Sequence, residues 1–282
     1  MNQSAIICIC GAGTMGRGIA QICAQQGFAT VLFDVNEAMI EKSKVDIENA
    51  LQKLVEKEKI ACHQKAAILQ RICFTSSIND CKADIIIEAI IEQKQAKVFL
   101  FNQLITINSN QTIFATNTSS IAVTEIANEV SAAQRVVGMH FFNPATIMKL
   151  VEVIKTPATD AAVVDTIISF AKQLGKMPVL CNDAPGFIVN RVARQYYLEA
   201  MKLVELGLTD IETIDTIMEA SGFKMGPFKL MDMIGLDINY SVSTIVWEAL
   251  NKPERLHPSV LQQQKVAAGN LGRKTGQGFY NY

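Results

Sequence analysis

The sequence predicts an α/β domain with helices on the faces of a parallel sheet, followed by an all-helical domain. Strand-like and helix-like segments alternate through the first two-thirds of the chain, the pattern of successive βα units. That alternation stops at Asn182-Asp183-Ala184-Pro185-Gly186-Phe187, beyond which no convincing strand follows. With 282 residues, 49% apolar and 19% charged, the chain has material for a full core in each part. The boundary falls near residue 183, giving domains over 1–183 and 184–282.

Each element has a local reason. Residues 5–10 are an apolar run and predict a strand; 14–26 predict a helix and 29–33 a second strand. Asn36 is a suitable N-cap for a polar helix, rich in Lys and Glu, that runs to about residue 57. A helical segment over about 63–73 is expected to fold back on it. Residues 84–88 read as a buried strand, 93–108 as an amphipathic helix and 112–115 as a strand. Two β-type runs then flank the turn signal Asn143-Pro144, followed by a helix near 161–174 and a strand over 177–181. In the second part, 188–207 and 209–221 predict helices, the latter with Thr209 as cap and Glu212 in the capping-box position. Pro227, Gly235 and Pro253 punctuate further helices, among them the apolar stretch 231–250.

Composition excludes several classes of partner. A net charge of −1 without a basic block argues against nucleic acid. No apolar run reaches the roughly 18 residues needed to cross a bilayer. The first predicted strand lies so near the start that no leader is expected, so the cytoplasm is the expected compartment. The seven cysteines are an odd number without a Cys-x-x-Cys pair, and Cys8 and Cys10 share one face of a strand. They read as small buried hydrophobes in a reducing compartment. With only His63, His140 and His257, widely separated, no metal site is expected.

The chemistry begins at Gly11-Ala12-Gly13-Thr14-Met15-Gly16, a G-x-G-x-x-G run placed between a strand and a helix. Such glycines let the backbone turn tightly and approach a pyrophosphate at the helix N-terminus, the signature of a Rossmann-type dinucleotide-binding fold. Asp34 ends the next strand, where a carboxylate can accept hydrogen bonds from ribose hydroxyls. Its charge repels a 2′-phosphate, and no arginine follows among Val35, Asn36 and Glu37, so NAD is favoured over NADP.

A second constellation lies at Val136–Phe142 and Leu150–Ile154. Folding the Asn143-Pro144 turn back would bring His140 beside Glu152. A carboxylate fixes an imidazole's tautomer and favours its protonated form, which makes the two a proton-transfer pair. A lone histidine in an apolar strand is also a common core residue. Glu152 is harder to assign to structure alone, because a carboxylate among strand apolars needs a partner.

With these motifs the chain resembles the L-3-hydroxyacyl-CoA dehydrogenase family, including bacterial 3-hydroxybutyryl-CoA dehydrogenases. The resemblance runs from the glycine loop to Lys274-Thr275-Gly276-Gln277-Gly278-Phe279-Tyr280. Between them lie Asn117-Thr118-Ser119-Ser120, His140-Phe141-Phe142-Asn143-Pro144, Met148 to Val153, Pro185 to Arg191, and Met225-Gly226-Pro227-Phe228. It implies an NAD-dependent interconversion of (S)-3-hydroxyacyl-CoA and 3-oxoacyl-CoA, with short chains as the default. His140 would act as general base and Glu152 would orient it. Ser119 and Asn190 would hold the reacting oxygen in a cleft between the domains. Cofactor contacts carry over to Gly11, Gly13, Met15, Gly16, Asp34, Glu92, Lys97, Asn117, Ser119, Asn143 and Lys274. Lys53 and Lys57, on the polar helical pair over 36–73, are candidates for the CoA phosphates, with Ser119 also near the substrate. Ala50 stands where some relatives carry a CoA-contacting serine. Ala145-Thr146-Ile147 stands where relatives often have Val-Pro-Val, which should loosen the turn and shift acyl-chain preference. A homodimer formed by the helical domain is also implied. The rival readings are a hydroxy-acid or sugar-acid dehydrogenase of a sister branch, and a non-catalytic dinucleotide-binding protein on the same fold.

Overall fold

Burial on both faces places the strand before the glycine loop in the interior of the sheet. Ile7, Cys8, Ile9 and Cys10 of β1 (Ile6–Cys10) are all fully buried, as expected where helices cover both sides of parallel strands. The computed structural model describes residues 4–282. It divides into two compact units, one running through Asp183 and the other spanning Ala184–Tyr282.

In the first unit β1 is joined by β2 (Ala29–Phe33), β3 (Ile72–Thr75), β4 (Ile85–Glu88), β5 (Ile113–Thr116), β6 (Val136–Phe141), β7 (Leu150–Lys155) and β8 (Met177–Asn182). The order across the sheet is β3-β2-β1-β4-β5-β6-β7-β8. Neighbours are parallel except β6 and β7, which run antiparallel. The link between those two is too short for a crossover helix, so the chain can only turn back on itself. The accompanying helices are α1 (Thr14–Gln25), α2 (Glu37–Glu56), α3 (Cys62–Gln70), α4 (Lys94–Ile107), α5 (Val123–Ala127) and α6 (Ala161–Gln173). As expected, Asn36 caps α2, its side chain accepting from Ala38 N at 3.0 Å.

The helix expected over 63–73 is shorter, ending at Gln70, and Ile72–Thr75 forms β3 instead. Its β-branched and aromatic residues pair along β2, from Thr30↔Ile72 to Phe33↔Thr75. A four-residue strand directly after a helix carries no period of its own and looks in sequence like the helix's tail.

The second unit contains α7 (Val189–Glu205), α8 (Ile211–Ala220), α9 (Pro227–Ile234), α10 (Leu236–Ala249) and α11 (Val260–Ala267). The cap of α8 is Asp210, not Thr209: its carboxylate accepts from Thr213 N at 2.7 Å. The apolar stretch over 231–250 is cut at Gly235, whose φ of 103° ends α9 and starts α10. Buried Asp232 fastens the C-terminal tail. It accepts from Phe279 N and Tyr280 N, each at 2.9 Å, and from Tyr282 Oη at 3.2 Å. Asp232→Ala should therefore leave several donors unpaired and cost about 3 kcal/mol. Denaturant unfolding of the helical unit checks this, and an unchanged midpoint would remove Asp232 from that role.

Candidate active site

The glycine loop is shaped by close contacts at its two ends and open space in its middle. Gly11 has φ of +106°, and a Cβ there would lie 2.5 Å from the Ala89 carbonyl oxygen. A Cβ on Gly16 would run into the Gly11 carbonyl, whereas one on Gly13 meets nothing within 4 Å. The outer glycines are thus demanded by packing, while Gly13 presents bare backbone to open space. Gly13 is also the N-cap of α1 and brings no side chain to its first N–H groups, an arrangement suited to an anion. Met15, in the first turn, packs half-buried against the core.

Asp34 follows β2 and braces this loop. Its carboxylate accepts from Ala12 N at 2.8 Å and from Asn36 N at 3.0 Å. The bare backbone at Gly13 and a half-buried carboxylate at the end of the neighbouring strand fit the two ends of an adenosine diphosphate group. Asp34→Asn should narrow the preference for NADH over NADPH by roughly tenfold, about 1.4 kcal/mol of lost charge discrimination. Paired dissociation constants for the two cofactors test this, and an unchanged ratio would assign the preference elsewhere.

On the same sheet, β6 and β7 put His140 and Glu152 in register as direct partners. His140 Nδ1 and Glu152 Oε2 are 2.8 Å apart, with side chains 7% and 1% exposed. Antiparallel pairing holds both Cβ atoms on one face, so the contact follows from register rather than from a flexible loop. The ring of Phe142 lies 4.5 Å from that of His140, centroid to centroid. Beyond it the turn carries hydrogen bonds of its own. Ile147 N and Met148 N both donate to Pro144 O at 3.0 Å, and Lys176 Nζ donates to Ala145 O and Met148 O.

A third group surrounds Lys97 of α4. It is 1% exposed and lies 2.6 Å from Glu88 Oε1 and 3.2 Å from Glu92 Oε2. Glu88 also accepts from Ile90 N and from Thr116 Oγ1. Burial pushes the Glu88 carboxyl above its ordinary range, and the Lys97 charge pulls it back only in part. For Glu92 burial pushes up as well, but Lys97 and hydrogen bonds from Thr118, Ser119 and Ser120 outweigh it and hold the carboxyl low. Ser119 N donates to Glu92 Oε1 at 2.9 Å, and Thr118 Oγ1 accepts from Ser120 N and Ile121 N. Glu88 escaped the sequence analysis. Its signal in the sequence is a carboxylate closing an apolar strand, as Glu152 is a carboxylate inside one.

The remaining candidates are positioned as follows. Asn117 accepts from Phe141 N at 2.9 Å, tying the end of β5 to β6 beside His140. Asn143 is exposed in the turn after β6. Lys53 and Lys57 are exposed at the end of α2, and α3 folds back on that helix through Lys65, which bonds Glu48 and Gln52. In the helical unit Asn190 stands in the first turn of α7, its carbonyl accepting from Arg194 Nε at 3.0 Å. Arg194 is buried and also bonds Asn239 and Ser243. Lys274 is held by both carboxylate oxygens of Asp237, at 2.6 and 2.7 Å.

A glycine cradle with an acidic residue at the end of the next strand, on one sheet with a buried His–Glu contact, defines a dinucleotide-binding α/β protein. Comparison with known proteins narrows this class. Residues 6–184 match the family described as 3-hydroxyacyl-CoA dehydrogenase, NAD binding domain, and residues 186–282 match its C-terminal domain. The chain belongs to the 3-hydroxyacyl-CoA dehydrogenase family, and the cofactor of that N-terminal domain is NAD. It is 42% identical to the human mitochondrial hydroxyacyl-coenzyme A dehydrogenase, over 98% of this chain and 90% of the relative. It is 40% identical to the 3-hydroxyadipyl-CoA dehydrogenase of Escherichia coli over 98% of this chain, but spans only 58% of that protein's length. The crystal structure of (S)-3-hydroxybutyryl-CoA dehydrogenase from Ralstonia eutropha superposes with a TM-score of 0.95 at 40% identity, covering 99% of both chains.

Proposed function

We propose that this protein interconverts (S)-3-hydroxyacyl-CoA and 3-oxoacyl-CoA with NAD, acting on short chains of the 3-hydroxybutyryl-CoA and acetoacetyl-CoA kind. The observation that carries the reading is the buried 2.8 Å contact between His140 Nδ1 and Glu152. With Nδ1–H donated to the carboxylate, Nε2 carries the lone pair that takes the proton of the 3-hydroxyl. Glu152 then stabilises the imidazolium, and in the reductive direction the same nitrogen returns the proton. NAD, when bound, supplies the hydride acceptor at its nicotinamide. Ser119 and Asn190 are assigned to hold the reacting oxygen. Glu92, Lys97, Asn117, Asn143 and Lys274 are assigned to the nicotinamide end of the cofactor site, and Lys53 and Lys57 to the CoA phosphates.

In this reading the two units have distinct roles. The sheet unit binds NAD, and the helical unit serves substrate binding and a homodimer. Exposed Val192, Met233, Ile234 and Ile238 on α7, α9 and α10 support an association surface in the helical unit. Free thiols at all seven cysteines support the cytoplasm as the working compartment.

Acetoacetyl-CoA-dependent oxidation of NADH, followed by absorbance, tests the activity, with NADPH and free acetoacetate in parallel. Turnover is expected with NADH and the thioester together and not with either control. The relative named for 3-hydroxyadipyl-CoA defines the second arm, a longer carboxylated acyl chain. Turnover on free hydroxy acids alone would overturn the proposal in favour of a sister-branch dehydrogenase.

A further inference from the structure

The sheet carries a second chemically distinctive cluster, made of thiols, that the proposed reaction does not use. Cys8 and Cys10 alternate onto the same face of β1, with their sulfurs 3.8 Å apart. Cys81, far away in sequence, comes up against them just after the short 3₁₀ turn Ile78–Asp80. The three sulfurs all lie within 4.8 Å of one another, and all three residues are fully buried. No imidazole or carboxylate among the described residues joins the group. Spacing alone could not reveal it, because the third thiol arrives only through the packing of the segment that leads into β4.

We propose that Cys8, Cys10 and Cys81 form a binding site for one soft monovalent d10 cation of the Cu(I) type, held by three sulfurs. The geometry suits that ion. A metal–thiolate bond of about 2.3 Å places three sulfurs of a planar trigonal site roughly 4.0 Å apart. The observed triangle has one side of 3.8 Å and no side above 4.8 Å, so closure needs only small side-chain rotations. An all-sulfur donor set selects soft ions, and the lack of a fourth donor in the group disfavours zinc, which takes four ligands in structural sites.

Protonation and access are consistent with this. Each thiol that bonds the ion releases its proton to solvent, and the ion keeps its oxidation state. Residues 76, 77, 79 and 80 are exposed and lead directly into Cys81, giving the ion a short surface segment through which to enter.

The test uses the full chain, reduced and anaerobic, with the exposed thiols removed by Cys62→Ser and Cys73→Ser. Cu(I) is titrated against a chromogenic bidentate Cu(I) chelator. One equivalent should be withheld from the chelator, and X-ray absorption should show three sulfurs at about 2.3 Å. Adding Cys81→Ser should weaken retention at least 100-fold, while adding Cys181→Ala should leave it unchanged. Retention unaffected by Cys81→Ser, or a first shell containing nitrogen or oxygen, would overturn the site. Should Cys81→Ser fail to fold, the absorption spectrum of the background protein decides alone. NADH turnover does not enter these readouts, so this proposal and the proposed activity can fail independently.

Discussion

Replacing His140 by glutamine lowers kcat by about 10²–10⁴-fold, the range for loss of a positioned acid/base group, while NADH binds within about twofold of the parent. Glutamine preserves much of the side chain's volume and can still hydrogen-bond Glu152, but it cannot carry a proton between substrate and solvent. Because His140 sits in register within two paired strands, its loss should not disturb the glycine cradle at the end of β1. Glu152→Gln should produce a smaller fall, since the amide can accept the Nδ1 hydrogen bond but does not stabilise the imidazolium. Steady-state turnover and fluorescence titration with NADH measure the two quantities separately. Undiminished turnover in His140→Gln would remove the residue from the chemistry and restore the reading of a satisfied core histidine. Equal losses of turnover and NADH affinity would instead indicate structural damage.

What the sequence makes legible here depends on how far apart the interacting residues lie and on what kind of signal they carry. The glycine loop is local, so its strand, turn and helix could be read from a dozen residues. The juxtaposition of His140 and Glu152 was also readable, because one short turn separates two runs whose alternation sets the register. Local reasoning failed where a tertiary partner decided the outcome. β3 exists because β2 offers it an edge, and Asp210 caps α8 although Thr209 is an equally plausible hydroxyl neighbour. The Lys97 cluster and the three-thiol cluster both depend on elements meeting across the sheet or at its ends. A lysine in a helix with several polar positions carries no sign of being almost wholly buried. The only warning was Glu88 itself, an anion closing the run Ile85-Ile86-Ile87.

That buried ion pair makes Lys97→Met the substitution with the largest expected effect on stability. Lys97 is the cation next to both Glu88 and Glu92, and its removal strands the fully buried Glu88 carboxylate. Breaking one partner of a buried pair costs about 3–5 kcal/mol, because the remaining charge keeps its desolvation penalty. In a domain of this size that corresponds to a fall in Tm of roughly 6–20 °C.

The loss should depend on pH with a definite sign. Glu88 is raised in the folded protein, so its carboxyl favours folding while protonated, below the unfolded value of about 4.3. That contribution disappears as pH rises through the folded value. Without Lys97 the folded value climbs further, and the penalty at neutral pH grows. Glu92 acts in the same direction: its carboxyl is held low, partly by Lys97, and contributes stability above its unfolded value that the variant loses. The deficit of Lys97→Met against the parent should therefore be larger at pH 8 than at pH 5, as measured by denaturant unfolding at both. Adding Glu88→Gln to Lys97→Met should recover part of the deficit at pH 8, since an amide has no charge to bury. Equal deficits at the two pH values, or a double variant no more stable than the single one, would mean that Glu88 is not the stranded charge. The cost of losing Lys97 would then lie in its contact with Glu92, which anchors Ser119 and Ser120 at the cofactor end of the sheet.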